Sequence, residues 1–564
     1  MKTQYRIFTN CAAAVALALS MGMLTACDDD DEDYTYWLDG EEEEIIDTPT
    51  DPDIVEPTYS FETMGKTTKI DFNTRYQTCE GIGASDCWLP NKLGQYWTST
   101  RGQMAEWLFS TEIVNNQPKG IGLSTWRFNL GAGTEELGND SGIDEDNANN
   151  RMPSFVDTVD DDGNITYDWT KCPGQRYFME QAKQYGVENY VLFSNSPIVQ
   201  VTYNGKGVSK RNHNANIRDK DYPVFAEYMA SVAQHFVNEG YNISHISPVN
   251  EPQYTWNGSS QEGSGWKNSQ VAMIARELNS ALDNKGISTK ISLGEAGAYD
   301  VLYQGADDYE NTFAHFFNPE DEAYVGDLSR LDNMSVHSYY TDGSWDGMRT
   351  VREKAANIAA QYGVKLWQTE WSLLVNGTSQ YEEGTEESNY WDIAQWMAMV
   401  IHNDFVKAGV TAWHYWTAMS VERWSQMDRF MLINCVPAGG NYSNDFTAEG
   451  TVEAFRTLWV LGNYSRFVRP GYTRVDLNVI DSSYFFGDAW ISPDGNELVC
   501  VYTNRNAEKG VKLNIEYGNW PSTPTKIMRY TTTATKNLEG EEWNVDYRVV
   551  LEPSSVTTVV YTLN

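Results

Sequence analysis

Ile246-Ser247-Pro248-Val249-Asn250-Glu251-Pro252 is a short apolar run that stops at an amide and a carboxylate. On either side lie Tyr222 to Asn238 and Gln270 to Leu282, whose apolar residues recur every three to four positions as in an amphipathic helix. Strand, polar end, then helix: the same cycle recurs from Glu80 to Trp416. Its other strands are Gly81 to Ala84, Leu123 to Asn129, Tyr190 to Asn195, Ile291 to Glu295, Met334 to Tyr339, Leu366 to Glu370 and Thr411 to Trp416. Met348 to Tyr362 and Trp391 to Phe405 supply further helical patterns. Consecutive βα units of this number close into a (β/α)8 TIM barrel, placed at 79–465.

Such barrels carry their chemistry at the carboxyl ends of the strands. Here those ends are Arg127, Asn195, Asn250 and Glu251, Glu295, His337 and Tyr339, Glu370, and Trp416. Hydrolysis of a glycosidic bond needs one carboxyl to protonate the leaving oxygen and one carboxylate facing the anomeric carbon, ~5–5.5 Å apart in retaining enzymes. Glu251 and Glu370 end the fourth and seventh strands, across the mouth from one another, and form the candidate pair. Arg127 and Tyr339 are expected to hold Glu370 ionised by lowering its pKa. The negative charge of Glu370 in turn keeps a proton on Glu251 until a glycosyl-enzyme forms. Glu295, a further strand-end carboxylate, is assigned to a sugar hydroxyl. Trp413 falls on the opposite phase of its strand from Trp416 and is read as core.

After a predicted helix at Val452 to Gly462 the pattern turns strand-like, at Thr473 to Val479, Tyr484 to Ile491, Glu497 to Thr503, Val511 to Tyr517, Lys526 to Thr531, Tyr547 to Leu551 and Val556 to Leu563. This is an all-β sandwich side domain at 466–564, and the alternating stretch 58–78 is expected to add a strand to it. Asp160-Asp161-Asp162-Gly163-Asn164 resembles a calcium loop. Thr158 stands where the first ligand belongs and no Glu closes it, so a β-hairpin turned at Asp162-Gly163 is expected instead.

Lys2 and Arg6, the apolar stretch Cys11 to Met23 and Leu24-Thr25-Ala26-Cys27 form a lipoprotein signal peptide at 1–26, with Cys27 as the lipidation site. The apolar run is short of the ~20 residues a bilayer crossing needs. From Asp28 to Glu56 there are 15 acidic residues and no Lys or Arg, a self-repelling tether at 27–57. An outer-membrane lipoprotein exposed at the bacterial cell surface is expected, with the periplasmic face as the alternative. Removing the tether's 15 carboxylates and the leader's two cations from the net charge of −38 leaves −25, which argues against nucleic acid as a partner. The five cysteines beyond Cys27 show no metal spacing; they read as buried free thiols with room for one disulfide. Neither a metal nor a cofactor is called for.

Asn250-Glu251-Pro252 with Glu370 resembles the clan of retaining barrel glycosidases. Trp126-Arg127-Phe128-Asn129-Leu130-Gly131, Ser194-Asn195-Ser196-Pro197, Val336-His337-Ser338-Tyr339 and above all Leu461-Gly462-Asn463-Tyr464-Ser465-Arg466-Phe467-Val468-Arg469-Pro470-Gly471 narrow the resemblance to glycoside hydrolase family 30, over Thr58 to Asn564. The resemblance implies Glu251 as acid/base, Glu370 as nucleophile, Asn250 as donor to the sugar 2-hydroxyl, and Trp416 as the aromatic floor of the sugar subsite. It also places Arg127, Asn195, His337 and Tyr339 at the substrate. Glucosylceramidase-like members carry a Trp-Ser-Pro-Pro-x-Trp stretch; Asn195-Ser196-Pro197-Ile198-Val199-Gln200 lacks both tryptophans. With Gly294-Glu295-Ala296-Gly297 it is similar to the endo-β-1,6-galactanase branch, which implies a polysaccharide or oligosaccharide substrate on arabinogalactan side chains. β-1,6-Glucan or xylan hydrolysis and a non-catalytic glycan-binding lipoprotein are the alternatives.

Overall fold

The computed structural model describes residues 59–63, 68–374, 388–423, 430–515, 517, 520–545 and 548–563. The leader, Cys27 and the tether lie outside the described residues. Eight parallel strands close a barrel in chain order: β1 (Gly81–Ser85), β2 (Thr125–Asn129), β3 (Asn189–Phe193), β4 (Ile243–Ser247), β5 (Lys290–Ala296), β6 (Leu331–His337), β7 (Lys365–Glu370) and β8 (Ala412–Tyr415). Closure runs through Ala412 opposite Gly81. At this seam Gly83 is required by close approach, since a Cβ there would lie 2.5 Å from the Thr125 carbonyl oxygen and 3.1 Å from the His414 ring.

Helices cover the barrel: α1 (Arg101–Phe109), α2 (Pro173–Gln184), α3 (Tyr222–Asn238), α4 (Asn268–Lys285), α5 (Trp345–Tyr362), α6 (Ser388–Asn403) and α7 (Arg456–Ser465). In α3 the face turned to the barrel is Phe225, Met229, Val232 and Phe236, spaced three and four apart and buried. The run 246–250 proves to start earlier, at Ile243, and its ladder ends at Ser247, so Val249, Asn250 and Glu251 are already loop. The expected hairpin is present: Val156–Val159 pairs with Ile165–Tyr167, and the Asp160 carboxylate accepts from the Asp162 and Asn164 backbone amides, closing its own turn.

The side domain is a seven-stranded sheet ordered Lys69–Thr78, Thr473–Asn478, Phe485–Ile491, Glu497–Asn504, Ser555–Thr562, Lys526–Thr532, Glu539–Trp543, faced by a three-stranded sheet of Ser60–Thr63, Lys509–Lys512 and Val550–Leu551. Strand 497–504 shows how the large sheet is used on both sides. Leu498, Cys500 and Tyr502 enter the core between the two sheets, whereas Val499 and Val501 join the barrel's core. Asn463 in α7 donates to the Tyr530 carbonyl and the Thr558 hydroxyl, Ser465 to Ile121, and Arg469 to Gly122 and Ser465, so the Asn-Tyr-Ser-Arg-Phe-Val-Arg-Pro-Gly segment stitches barrel to sheet.

Three sequence expectations are corrected here. The helix placed at Val452 to Gly462 spans Arg456–Ser465, because Thr451–Ala454 is drawn into antiparallel pairing with Ile433–Val436. Where the sequence places strands at Val511 to Tyr517 and Tyr547 to Leu551, the described residues pair at Lys509–Lys512 and Val550–Leu551, and Glu516 and Tyr547 lie outside the described residues. Glu539–Trp543 is a strand that the sequence conceals, a polar edge whose outward side shows no apolar alternation. Cys79, Cys87, Cys172, Cys435 and Cys500 are all buried free thiols.

Candidate active site

At the carboxyl ends of the strands a cavity of about 340 Å³ opens. Among its walls are Asn250, Glu251, Tyr339, Glu370 and Trp416, five residues that arrive from the ends of β4, β6, β7 and β8. His337 on β6 and Glu370 on β7 stand directly opposite in register. Glu251 and Glu295 both take left-handed backbone, φ 39° and 49°, a conformation that costs a non-glycine residue ~1–3 kcal/mol and collects at functional sites.

One imidazole nitrogen ties the two carboxylates of interest. His337 Nδ1 lies 3.1 Å from Glu251 Oε1 and 3.5 Å from Glu370 Oε2. Added through the shared atom, these distances put the two oxygens at most about 6.6 Å apart, within reach of the ~5–5.5 Å of a retaining pair and at the very bottom of the wider inverting range.

Behind this pair is a buried ionic layer. Arg127 donates to Glu370 Oε1 at 2.6 Å and to Glu295 Oε2 at 2.8 Å, with its guanidinium 4.1 Å from the centre of the Phe193 ring. Glu295 also accepts from His337 Nε2, Ser247 and Thr369, each at 2.8 Å. Burial pushes the Glu295 carboxyl up, but the Arg127 charge and the bonds from His337 and Thr369 prevail and hold it well below the usual carboxylate range. Burial opposes a charge on His337; the Glu370 charge and the bonds to Glu251 and Glu295 prevail and raise it to about 10, so the ring is an imidazolium donating from both nitrogens.

Glu370 comes out differently from its sequence expectation. Burial raises its pKa; His337 and Arg127 pull it down, Glu295 and Glu251 push it back, and the result stays above the ordinary value. Three carboxyl groups face two cations, so the cluster is electrically balanced when one of the three holds a proton. The cation beside Glu370 other than Arg127 is His337 rather than Tyr339, whose phenol, buried next to the charges of Glu370 and Glu251, has its own pKa driven up and stays protonated.

Arg127, Glu295 and His337, placed at the substrate by the sequence, are wholly buried and do not line the cavity. Their side chains point into the layer beneath the mouth, where they orient the carboxylates. Glu295 in particular is held by protein donors on both oxygens and lies beneath the cavity wall, out of reach of a sugar hydroxyl. Asn195 is tucked away as well, its Nδ2 3.6 Å from Cys87 Sγ, because β3 ends at Phe193 and the following turn folds inward through Ser194. Ligand atoms of Glu295, His337 and Glu370 lie within 4.8 Å of one another, but Arg127 already bridges two of them with its positive charge.

Trp416 faces the cavity, edge-on to Trp88 at 5.2 Å and to Phe193 at 6.3 Å, whereas Trp413 is fully buried and donates to Asp404. Other wall residues escaped the sequence reading, among them Trp88 after β1, Asn147, Asn149 and Asn150 in the excursion after β2, and Trp256 and Tyr340. The run Asn147-Ala148-Asn149-Asn150 was the available signal, amides in a loop that begins at a strand's carboxyl end.

An endo-β-1,6-galactanase of Hypocrea rufa is 24% identical over 490 residues, 84% of this chain and 85% of that protein. Glucuronoxylanase XynC of Bacillus subtilis is 22% identical, over 63% of this chain and 69% of its own length. Among solved structures, a conserved exported protein from Bacteroides fragilis superposes with a TM-score of 0.79 at 27% identity, covering 88% of this chain and all of that one. The profile of O-Glycosyl hydrolase family 30 matches residues 65–430, and the chain, a (β/α)8 glycosidase with a β side domain, belongs to that family.

Proposed function

We propose that this glycosidase cleaves β-1,6-galactan side chains of arabinogalactan by double displacement, with Glu251 as acid/base and Glu370 as nucleophile. What carries the reading is the approach of these two carboxylates at one wall of a cavity floored by Trp416. Glu251 delivers its proton to the leaving oxygen while Glu370 attacks the anomeric carbon. Ester formation removes the charge on Glu370 as Glu251 gains one by giving up its proton, so Arg127 and His337 face two carboxylates before and after the step. Glu251 then takes a proton from water, which releases the sugar with retained configuration.

The choice of galactan is supported by the breadth of the match to the Hypocrea rufa enzyme and by the missing tryptophans of the 195–200 stretch. Release of galacto-oligosaccharides from de-arabinosylated arabinogalactan tests it. Cleavage of glucuronoxylan or β-1,6-glucan with galactan left intact overturns the substrate while leaving the mechanism in place; binding without any cleavage overturns the enzyme reading itself. We further propose attachment to the outer membrane through acylated Cys27, facing outward. Loss of membrane association in Cys27→Ala, and loss of surface protein on protease treatment of whole cells, are the expected results.

A further inference from the structure

Aromatic rings stand on two sides of the mouth. In the closed barrel β4 and β5 lie opposite β8 and β1, with β6 beside them. Trp416 and Trp88, which follow β8 and β1, meet edge-on at 5.2 Å. Trp256, in the loop after β4, and Tyr340, after β6, rise from the facing sector and wall the same cavity. Between them β5 ends at Ala296 and is followed by Gly297. Glu251 Oε1 rests against that glycine, where a Cβ would approach it to 3.0 Å, so its carboxyl lies in the sector of Trp256 and Tyr340.

Core packing does not account for these rings. Tyr340 is 59% exposed and Tyr254, two residues before Trp256, is 49% exposed. All three lie outside the hydrophobic cores formed by the described residues. Tyr340 and Trp256 both take left-handed backbone, φ 58° and 49°, which is unfavourable for so bulky a side chain.

The β4 loop nevertheless holds its pair in place. Trp256 Nε1 donates to the Glu251 carbonyl at 3.1 Å and the Tyr254 amide donates to the same oxygen at 2.9 Å, tying both residues to the backbone of the acid/base. Tyr254 stands edge-on to Trp256 at 5.1 Å, and Gly263 backs the indole so closely that a Cβ there would lie 2.3 Å from its ring carbons. Rings fixed in advance give up little freedom when a ligand arrives.

A retaining glycosidase sets the sugar under attack at the nucleophile and the departing sugar beside the acid that protonates the bridging oxygen. With Trp416 flooring the first position, the second falls in the sector of β4 to β6. Tyrosine and tryptophan suit it, since each offers an apolar ring to the C–H face of a pyranose and a polar tip to its hydroxyls. We propose that Trp256 and Tyr340 form the subsite of the leaving sugar, with Tyr254 receiving the next unit outward. The assignment rests on Glu251 as acid/base, proposed above. Emptied after the first step, the same subsite admits an acceptor sugar in place of water. Glu251 takes the acceptor's hydroxyl proton, its oxygen bonds to the anomeric carbon and the ester bond to Glu370 breaks, leaving a new glycosidic bond.

Comparing an oligosaccharide with the glycosyl fluoride of the same attacked sugar tests this, because fluoride departs without filling a sugar subsite. Galactosyl, glucosyl and xylosyl series are run in parallel. In Tyr340→Ala, at an exposed position where the fold is not at risk, and in Trp256→Ala, the ratio of kcat/KM for the oligosaccharide to that for the fluoride should fall about tenfold. Tyr340→Phe, which keeps the ring, should restore most of it, and transfer from the fluoride to added methyl β-galactoside should drop relative to hydrolysis in both alanine variants. Equal losses on the two substrates, or none on either, overturn the subsite. Glu251→Gln checks the premise separately: it should lose far more on the oligosaccharide than on the fluoride, whose departure needs no proton, and equal losses would take the acid role from Glu251 and overturn the placement built on it. If only the glucosyl or xylosyl series is turned over, the galactan assignment falls and the same ratio, measured there, decides the subsite.

Discussion

The two ends of the barrel treat carboxylates in opposite ways. At the amino-terminal end, Asp332 accepts from Lys290 at 2.6 Å, Lys365 at 2.7 Å and His245 at 3.2 Å, and Glu80 takes Lys365 at 2.6 Å and Trp367 at 2.8 Å. Burial pushes Asp332 up, but His245 and the two lysines outweigh it and drive its pKa far down. At the mouth, three acids share Arg127 and His337, and Glu370 is left above its ordinary value. At one end two acids are matched by two lysines, which makes for stability. At the other, three crowded carboxyl groups leave Glu370 raised, and the strained φ angles of Glu251 and Glu295 fall at that same end.

The largest effect expected is from Glu370→Gln, which should cut turnover on the order of 10⁵-fold, as loss of a covalent nucleophile does. Because the substitution removes one of three crowded carboxylates, its melting temperature should stay within a few degrees of the parent, read by circular dichroism; a collapse would mean that the mouth holds the fold together. Arg127→Met should do both kinds of damage, abolishing activity and costing about 3–5 kcal/mol in urea unfolding, since Glu295 and Glu370 lose their shared buried partner.

A pH series sharpens the contrast. The folded pKa of His337, about 10, lies above the ~6.5 of an unfolded histidine. Its stabilising contribution is therefore whole below pH ~6.5 and is lost as pH climbs through 10, so unfolding free energy should fall between pH 7 and 10. His337→Asn should flatten that slope. The acid limb of kcat/KM should lie above the ordinary carboxylate range, following Glu370. The smallest effect belongs to the opposite end: Lys290→Ala, at a half-exposed lysine, should cost ~1 kcal/mol or less and leave kcat untouched. A change in kcat there would break the comparison.

Much of this was legible in the sequence because barrel strands are short apolar runs and ionisable residues mark their ends. Glu251, Glu370 and Trp416 stood out for that reason. Burial did not show: Arg127, Glu295 and His337 end strands as Glu370 does, and only the layering of side chains inside the barrel puts them below the cavity. The direction of the Glu370 shift depended on the sum of four neighbouring charges, which spacing along a chain does not reveal. Thr451–Ala454 and Glu539–Trp543 were hidden because each takes its form from the preceding strand it pairs with, Ile433–Val436 and Lys526–Thr532, rather than from an apolar alternation of its own.

The large sheet of the side domain, with Val499 and Val501 given to one core and Leu498, Cys500 and Tyr502 to the other, is a party wall. Shortening the protein after α7 would strip the barrel of its lining as well as its neighbour, leaving a greasy flank open to water and prone to clumping. Anyone trimming this enzyme for expression, or grafting its catalytic half onto another scaffold, has to carry the sheet along.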